Sequence, residues 1–580
     1  MMPKRWLLAN PLPPEQLHRY KNMSPVLAQV LFNRGFENPQ DAYRFLYAKT
    51  DDTTQNPFSM GGMQNAVGRI RQAIKRNEPI VIYGDFDADG VTSTTLLVQA
   101  LSVLGANVHP YIPHRVDEGY GLNSPALQNL AKKGVKLIIT VDCGIRSVEE
   151  IEDGKSAGLD MIITDHHSIG PEVPNAFAVV NPKLDSEDNP LMLAGVGVAY
   201  MVAKALFIAE QKNGNNKFTG SANGNQREFH PDYLLDLVAI GTVADLMPLN
   251  RLENRTLVRR GLDVLNKARR PGIRALLDII DVKPGKVTAQ SIGFGLGPRI
   301  NAAGRLDSAM IAYKLLAATN IDEAKRWADQ LQELNVKRQD ITRQAQATIE
   351  ERLGDHDDSL PLIFASDSSF EPGIVGLVAG RIAEEYYRPA IVMEEGETES
   401  RASCRSIPQF DITTALDKCA DLLVRHGGHA LAAGFTVMNE NIPALRERLM
   451  SMAEDTLSGQ TLVPTLEIDA ELDVHHLNFK LVDELELLQP TGHSNVNPVF
   501  ITKNVHVAEC RTVGHEGKHL KLKISRASQP PLDAIGFGLG EWAHKMPDRI
   551  DIAYQIEINE WHGRQNLQAN LQDIRPATHD

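Results

Sequence analysis

Cysteine is scarce in this chain of 580 residues: Cys143, Cys404, Cys419 and Cys510 are the only four. They lie far apart, which excludes a disulfide framework and a cysteine-type zinc site and points to a reduced cytoplasm. Long apolar runs are missing too. The best candidate, residues 191–203, meets Lys204 and falls short of the roughly 18 residues a membrane span needs. The N-terminus, Met1-Met2-Pro3-Lys4-Arg5-Trp6, leads into polar sequence, not a signal-peptide core. Positive charge is in deficit: 60 Lys and Arg against 74 Asp and Glu leave a net charge of −14. Taken alone, that balance argues weakly against a nucleic-acid partner. It does not exclude one, because the local field decides binding and bound cations offset acid. A nucleic-acid binder of this composition requires a basic channel on an acidic body. The length suits about three or four domains with large cores.

What is present is acid placed where acid is costly. Val81-Ile82-Tyr83-Gly84-Asp85-Phe86-Asp87-Ala88-Asp89-Gly90 reads as a strand end followed by three carboxylates at alternate positions. Alternation sends them to one side, where they repel one another. A divalent cation would draw them together; an acidic calcium loop or a solvated turn would show the same residues. The pattern returns twice. Lys136-Leu137-Ile138-Ile139-Thr140-Val141-Asp142 is a buried-type strand ending in aspartate, and Met161-Ile162-Ile163-Thr164-Asp165-His166-His167 ends in an aspartate and two histidines. A helix-like stretch from Ser147 to Gly158 separates them. Such alternation predicts a parallel sheet, with ligand sites beyond the carboxyl ends of its strands. A fourth apolar run, Leu234 to Ala244, closes on Asp245, which serves either as a ligand or as a helix N-cap. Oxygen and nitrogen donors from four segments suit Mn2+ or Mg2+ better than structural zinc. Two such cations would activate water and clamp the oxygens of an in-line displacement, the chemistry of phosphoester cleavage.

These residues resemble a known family. Asp165-His166-His167 is similar to the motif that names the DHH phosphoesterases, and Gly427-Gly428-His429-Ala430-Leu431-Ala432-Ala433-Gly434 resembles the motif of their associated second domain. Gly297-Pro298-Arg299-Ile300-Asn301-Ala302-Ala303-Gly304-Arg305-Leu306 narrows the likeness to the RecJ family, from about residue 60 to the C-terminus. The resemblance implies a single-strand-specific 5′→3′ DNA exonuclease that releases mononucleotides with two divalent cations, Mn2+ or Mg2+, and acts in recombination and repair. It implies Asp87, Asp89, Asp142, His166 and Asp245 as ligands, with Asp142 bridging. His167 would contact the scissile phosphate and Asp165 would orient a neighbour; Asp85 is an extra acid, either an alternative ligand or a group behind one. Tyr83 stands where small-molecule relatives carry a histidine ligand. For the substrate's 5′ phosphate it implies Arg115, Arg299, Asn301, Arg305, Ser403 and Arg405, with Gly428 and His429 facing nucleic acid; a helix-cap role for His429 stays open. Arginine's planar fork suits phosphate.

The implied fold is α/β: a parallel-sheet DHH domain and a second α/β domain of the DHHA1 type joined by a long helix, then a C-terminal OB-type β-barrel. The expected divisions are a helical lead-in (1–55), the metal-binding domain (56–270), a connecting region (271–355), the substrate domain (356–460) and the barrel (461–580). Trp327, Leu331, Leu334, Ile341, Ala345 and Ile349 mark one buried stripe on a helix from Asp322 to Leu353. Residues 211–226 read as a mobile polar loop. Glu371 to Arg381 places a glycine-bearing turn before a helix, where backbone amides approach an anion; residues 427–434 repeat that theme, and residues 301–304 read as a turn between two arginines. In the barrel, Trp542, Trp561 and His562 are candidate base-stackers, with a core role open for either tryptophan. Pro490-Thr491-Gly492-His493-Ser494-Asn495 departs from the family's Pro-Phe-Gly-x-Gly-Asn, lacking the aromatic and the second glycine.

Two other readings compete. One is a phosphoesterase acting on short oligonucleotides or cyclic dinucleotides; its relatives generally lack the barrel and the Arg299–Leu306 motif. The other is a non-enzymatic replication-fork scaffold, which predicts lost ligands. By resemblance, the expected partners are single-stranded DNA, a single-stranded-DNA-binding protein and a helicase, with no membrane.

Overall fold

The computed structural model describes residues 4–47, 54, 56–115, 117–119, 121–186, 190–212, 218–222, 225–354, 360–526, 531–561 and 563–577. The chain divides into two compact units. One comprises Met1–Ala48, Gln460–Thr491 and Asn495–Asp580; the other comprises Lys49–Gly459 and Gly492–Ser494.

The first strand is β1 (Arg5–Leu8), and the first strand of the larger unit is β2 (Ile80–Gly84), which follows a helix at Met63–Lys75. Next come β3 (Val108–Tyr111), β4 (Leu137–Val141), β5 (Asp160–Thr164) and β6 (Ala178–Val180). They form one wholly parallel sheet in the order β3-β2-β4-β5-β6. β2 and β4 are buried at every position, as expected for strands covered by helices on both faces. The chain leaves β2 first to one side and then to the other, so a crevice opens between the loops after β2 and β4. All the acidic strand ends read from the sequence converge there. Residues 219–222 and 225–228 pair as a two-stranded hairpin, β7 and β8, where the sequence suggested only a loop.

Helix α1 (Ala88–Val103) starts directly after β2 because Asp87 caps it, accepting the Asp89 and Gly90 amides at 2.9 and 3.0 Å. Helix α2 (Leu235–Ala244) carries Asp245 at its C-terminal end, so the N-cap alternative for Asp245 is corrected: the run ends there instead of starting. At the other end of α2, Arg270 grips Asp236 through Nε and Nη2, at 2.9 and 3.1 Å, with Asp236 buried and Arg270 largely so. Arg270→Met would strand a buried carboxylate at the root of this helix. The expected loss is about 3–5 kcal/mol of stability, read from urea denaturation; a loss under about 1 kcal/mol would mean the pair is wet and dispensable.

Two motifs differ in shape from their sequence reading. Residues 301–304 are not a turn: they lie within helix α3 (Gly297–Leu306), entered through a π-helical stretch at Ile292–Leu296. Local glycines suggested a break, but tertiary packing continues the helix. Helix α4 (Ile321–Leu353) runs as the 3.6-residue stripe predicts and ends at Gly354. It shares a core with the second sheet through Ala345 and Ile349.

That sheet comprises β9 (Ile363–Asp367), β10 (Ala390–Glu394), β11 (Glu399–Arg405), β12 (Leu423–His429) and β13 (Ala432–Met438), in the order β12-β13-β11-β10-β9. Helix α5 (Val375–Tyr386) follows the glycine-bearing turn as expected. Residues 427–434 form a β-hairpin instead of a second such turn, so His429 ends a strand and caps no helix.

In the smaller unit, β14 (Thr465–Ile468) pairs in parallel with β1, and β15 (Ala470–Glu471) joins the last sheet. β16 (Phe500–Val513), β17 (His519–Ser525), β18 (Leu532–Gly536), β19 (Arg549–Trp561) and β20 (Arg564–Pro576) close into a five-stranded barrel, because β16 also pairs with β19. The N-terminal helices Pro25–Asn33 and Pro39–Tyr47 share its core through Leu27, Leu31 and Phe45. Trp542 packs partly buried against that core. The Trp561 side chain and His562 lie outside the described residues. In the altered turn, the buried Asn495 donates to the Leu488 and Pro490 carbonyls at 3.0 and 2.8 Å and accepts from Arg34. No helix among the described residues is long and apolar enough to cross a membrane.

Candidate metal centre

Three sets of side chains at the crevice offer donor atoms within 4.8 Å of one another. They are Asp85, Asp87 and Asp142; Asp89, His166 and Asp245; and Asp142, His166 and His167. Asp142 and His166 each belong to two sets, so the clusters are contiguous. His166 Nε2 stands 3.0 Å from Asp142 Oδ1, 3.5 Å from Asp245 Oδ2 and 3.9 Å from Asp89 Oδ2. Asp142 itself adopts φ +61°, a left-handed conformation that aspartate tolerates better than most residues and that turns its carboxylate over the crevice.

The chemistry of this donor set can be tested against a metal. Asp85, Asp89, Asp142 and His166 are buried. Among the described residues, Asp85 Oδ1, Asp142 Oδ1 and His166 Nε2 are buried without a hydrogen-bond partner, an arrangement a folded protein normally avoids. Burial, then the Asp87 charge, pushes Asp89 up to about 7 despite the Val196 and Gly195 amides. Burial, Asp89 and Asp87 push Asp245 up to about 9. Burial and neighbouring carboxylates hold Asp85 and Asp142 well above the usual range. Burial and the adjacent His167 lower His166 to about 3, so its imidazole is neutral and can donate a lone pair. Clustered carboxylates and a neutral imidazole, short of partners, are the donors a hard divalent cation takes. The residues present fit Mn2+ or Mg2+.

Asp165 has a different part. Its Oδ1 accepts the amides of His166 and His167 and stands 2.8 Å from His167 Nδ1, while Oδ2 accepts the Ile145 amide. Burial works to raise Asp165, but the His167 hydrogen bond and charge, with the backbone amides, outweigh it and hold the carboxyl below its usual range. Burial works against charge on His167 as well, yet the Asp165 contact and the nearby Asp85 and Asp89 raise it. His167 is therefore a half-buried ring shifted toward its charged form, with Nδ1 already engaged. Tyr83 is fully buried, donates to the Gly121 carbonyl at 3.2 Å and packs with its ring tilted against Tyr111, engaged away from ligand duty.

Sequence reasoning missed two glycines behind the donors. Asp89 accepts the Gly195 and Val196 amides at 2.6 and 2.9 Å. A Cβ on Gly195 would stand 2.6 Å from Asp142 Cβ, and one on Gly241 would stand 2.6 Å from Asp89 Oδ1. Both lie inside apolar stretches, and only the packed helices reveal what they face. Gly241→Ala is expected to displace Asp89 and lower Mn2+ affinity and turnover together, by about 10–100-fold. Calorimetric Mn2+ binding equal to wild type would show that the helix yields instead.

The arginines gather beside the acids. Arg115 stacks on Phe86 at 4.6 Å and feels Asp85 and Asp87, although burial lowers it. Burial, Arg115 and Arg338, with Arg405, lower Arg305 to about 10 against the pull of Asp87. Arg305 Nη1 donates to the Gly373 carbonyl at 3.0 Å. Gly376, in the first turn of α5, lies against Ser403 and Arg405: a Cβ there would be 3.0 Å from Ser403 Oγ and 3.4 Å from Arg405 Nη2. Across the second sheet, Arg405, Ala432 and His429 form one row, and Ser403, Gly434 and Gly427 the next on the same face. His429 and Gly428 are exposed at that edge. Arg299 is engaged elsewhere, donating to Gln332 at 2.8 Å and the Gly295 carbonyl at 2.8 Å. Asn301 accepts the Ala88 amide at 2.7 Å, tying α3 to the first acidic motif. Arg338 on α4, whose Nε is buried without a partner among the described residues, was not anticipated; it stood in a helix read only as a connector.

Comparison with known proteins assigns the domains. Residues 79–242 match the DHH family N-terminal domain, 359–455 the DHHA1 domain and 468–573 the RecJ OB domain. The single-stranded-DNA-specific exonuclease RecJ of Bacillus subtilis (strain 168) is 38% identical over 564 residues, covering 96% of this chain and 68% of that protein. Its namesake in Escherichia coli (strain K12) is 33% identical over 570 residues, covering 96% of each. The crystal structure of RecJ in complex with Mn2+ from Thermus thermophilus superposes with a TM-score of 0.82 at 29% identity, over 99% of this chain and 80% of that one. A second structure from Thermus thermophilus holds Mg2+. This chain belongs to the RecJ family.

Proposed function

We propose that this protein is a single-stranded-DNA-specific exonuclease that hydrolyses phosphodiesters from the 5′ end and releases 5′-mononucleotides. The observation that carries the reading is the buried acid and imidazole cluster at the crevice, with three donor atoms lacking partners. Asp87, Asp89, Asp142, His166 and Asp245 would hold two divalent cations, with Asp142 shared and Asp85 in reserve. Bound there, such cations lower the pKa of water and neutralise charge on phosphoryl oxygens. The chain's own groups do the rest. Asp165 holds the His167 ring by Nδ1 and favours its charged form, which would meet the charge that grows on the scissile phosphate. Arg115, Arg305 and Arg405 with Ser403 form an anion pocket for the terminal 5′ phosphate, and Arg299 and Asn301 brace it through α3. Gly428 and His429 line the approach of the strand. An anchored 5′ end set at a fixed reach from the cluster accounts for both exonuclease action and polarity.

In this reading residues 56–270, 271–355 and 356–460 bind metal, connect and hold substrate, while 461–580 form an OB-type module tracking the strand. The protein works in the cytoplasm in recombination and repair, alongside a single-stranded-DNA-binding protein and a helicase. The test is digestion with Mn2+ of single strands labelled separately at each end, with Asp142→Ala as control. Early release of the 5′ label as a mononucleotide, lost in the variant, is the expected result. Cleavage confined to very short oligonucleotides would move the protein to the small-substrate branch of its superfamily, and cutting of circular strands would end the 5′-anchor idea.

A further inference from the structure

One cation at the cluster has no part in this account. Lys183 lies on the short 3-10 turn Pro182–Leu184, directly beyond the carboxyl end of β6. One bond closes that turn and two fix it to the metal-bearing loop. Asn181 Oδ1 accepts the Lys183 amide at 2.9 Å, Asn181 Nδ2 donates to the His167 carbonyl at 3.1 Å, and the Asp165 amide donates to the Val180 carbonyl at 3.1 Å. The lysine is thereby set alongside Asp165-His166-His167. Its ammonium is half-buried and, among the described residues, forms no ion pair. It still interacts electrostatically with Asp165 and Asp245, on two walls of the crevice, and with His166. Desolvated ammonium groups ordinarily find a partner. When divalent cations take up the charge of the carboxylates, Lys183 is left as an uncompensated positive charge on the crevice wall. An anionic phosphodiester satisfies it.

We propose that Lys183 is a catalytic residue whose ammonium contacts a phosphoryl oxygen of the scissile phosphodiester. It acts as a fixed charge: no bond to nitrogen forms and its protons stay in place. Water supplies the new P–O bond and the 3′ oxygen leaves with the pair from the broken one. Because Lys183 works by charge alone, its attraction for the phosphoryl oxygen strengthens as negative charge grows.

The inference rests on the hydrolase reading and is tested apart from it. With saturating Mn2+, Lys183→Gln is expected to lower kcat on single-stranded DNA by about 10²-fold with little change in KM, and Lys183→Arg to recover most of it. Mn2+ affinity of Lys183→Gln, measured by paramagnetic resonance without substrate, should equal or exceed wild type, because a repelling charge has gone. A Lys183→Gln kcat within twofold of wild type overturns the proposal. So does a parallel fall in Mn2+ affinity, or an arginine variant no better than glutamine. Wild-type protein that digests no DNA would instead end the exonuclease reading.

Discussion

Asp142→Asn should lower DNA hydrolysis by about 10³-fold while making the metal-free protein harder to unfold. Both effects have one cause. Asp142 sits in two of the three donor sets, so the substitution removes a charge that both sides of the cluster share and one of its two ligand oxygens. The same carboxylate is buried and crowded by Asp89, Asp87 and Asp245, which hold its pKa well above the ordinary range. Its charge therefore opposes folding whenever cations are absent. Asparagine keeps the shape and drops the charge, so the metal-free variant should gain about 0.5–2 kcal/mol in urea denaturation near pH 8. A loss of activity with a loss of apo stability would show that Asp142 is held by bonds the fold needs, and that its burden is not electrostatic. Asp165→Asn offers a contrast. Asp165 is fixed by three backbone amides and by His167, so it stabilises the fold as an anion, and its replacement should weaken the metal-free protein.

The parallel sheet and the long helix were legible in the sequence because their signals are local. Apolar runs such as Leu137 to Val141 end in an acid, and one stripe persists from Trp327 to Ile349. The convergence of Asp85, Asp142 and Asp165 followed from topology, since strands of one parallel sheet expose their carboxyl ends together. What stayed hidden depends on packing between distant segments. Asn301 ties to Ala88, 213 residues away, and nothing around residues 301–304 announces that a helix is needed to reach it. Glycines in the 427–434 hairpin looked like those before α5, because flexibility has the same composition in a strand edge and in a turn. The sharing of a core by the first 48 residues and the barrel has no local signature, since Leu27 and Leu31 would suit any apolar partner. Arg338 and Lys183 were passed over for a related reason: a lone cation on a helix or turn is ordinary until the charges packed around it are seen.

The largest stability effect should appear when pH and metal are varied together. In the metal-free protein Asp89 titrates near 7 and Asp245 near 9, with Asp85 and Asp142 also far above the unfolded value of about 4. For an acid raised by folding, the native state holds protons that the unfolded chain has released. Its contribution is complete below pH 4 and is lost as pH rises through the folded value. Each such proton costs about 1.4 kcal/mol per pH unit across that span. His166 works the other way, because its folded value near 3 lies below the unfolded 6.5, but above pH 6.5 it is neutral in both states and drops out. Between pH 7 and 9 the metal-free protein should therefore lose thermal stability steadily. Divalent cations reverse the slope, since they bind the deprotonated site and compete with its protons. Mn2+ at 100 times its Kd adds about 2.7 kcal/mol, and because Kd itself tightens with pH, the Tm gain at fixed Mn2+ should be larger at pH 9 than at pH 7. Differential scanning calorimetry with and without Mn2+ at the two pH values reads this directly. A metal-free Tm that is flat or rising over the interval would mean the carboxylates are already ionised and hydrated, leaving the cluster no electrostatic reason to seek a cation.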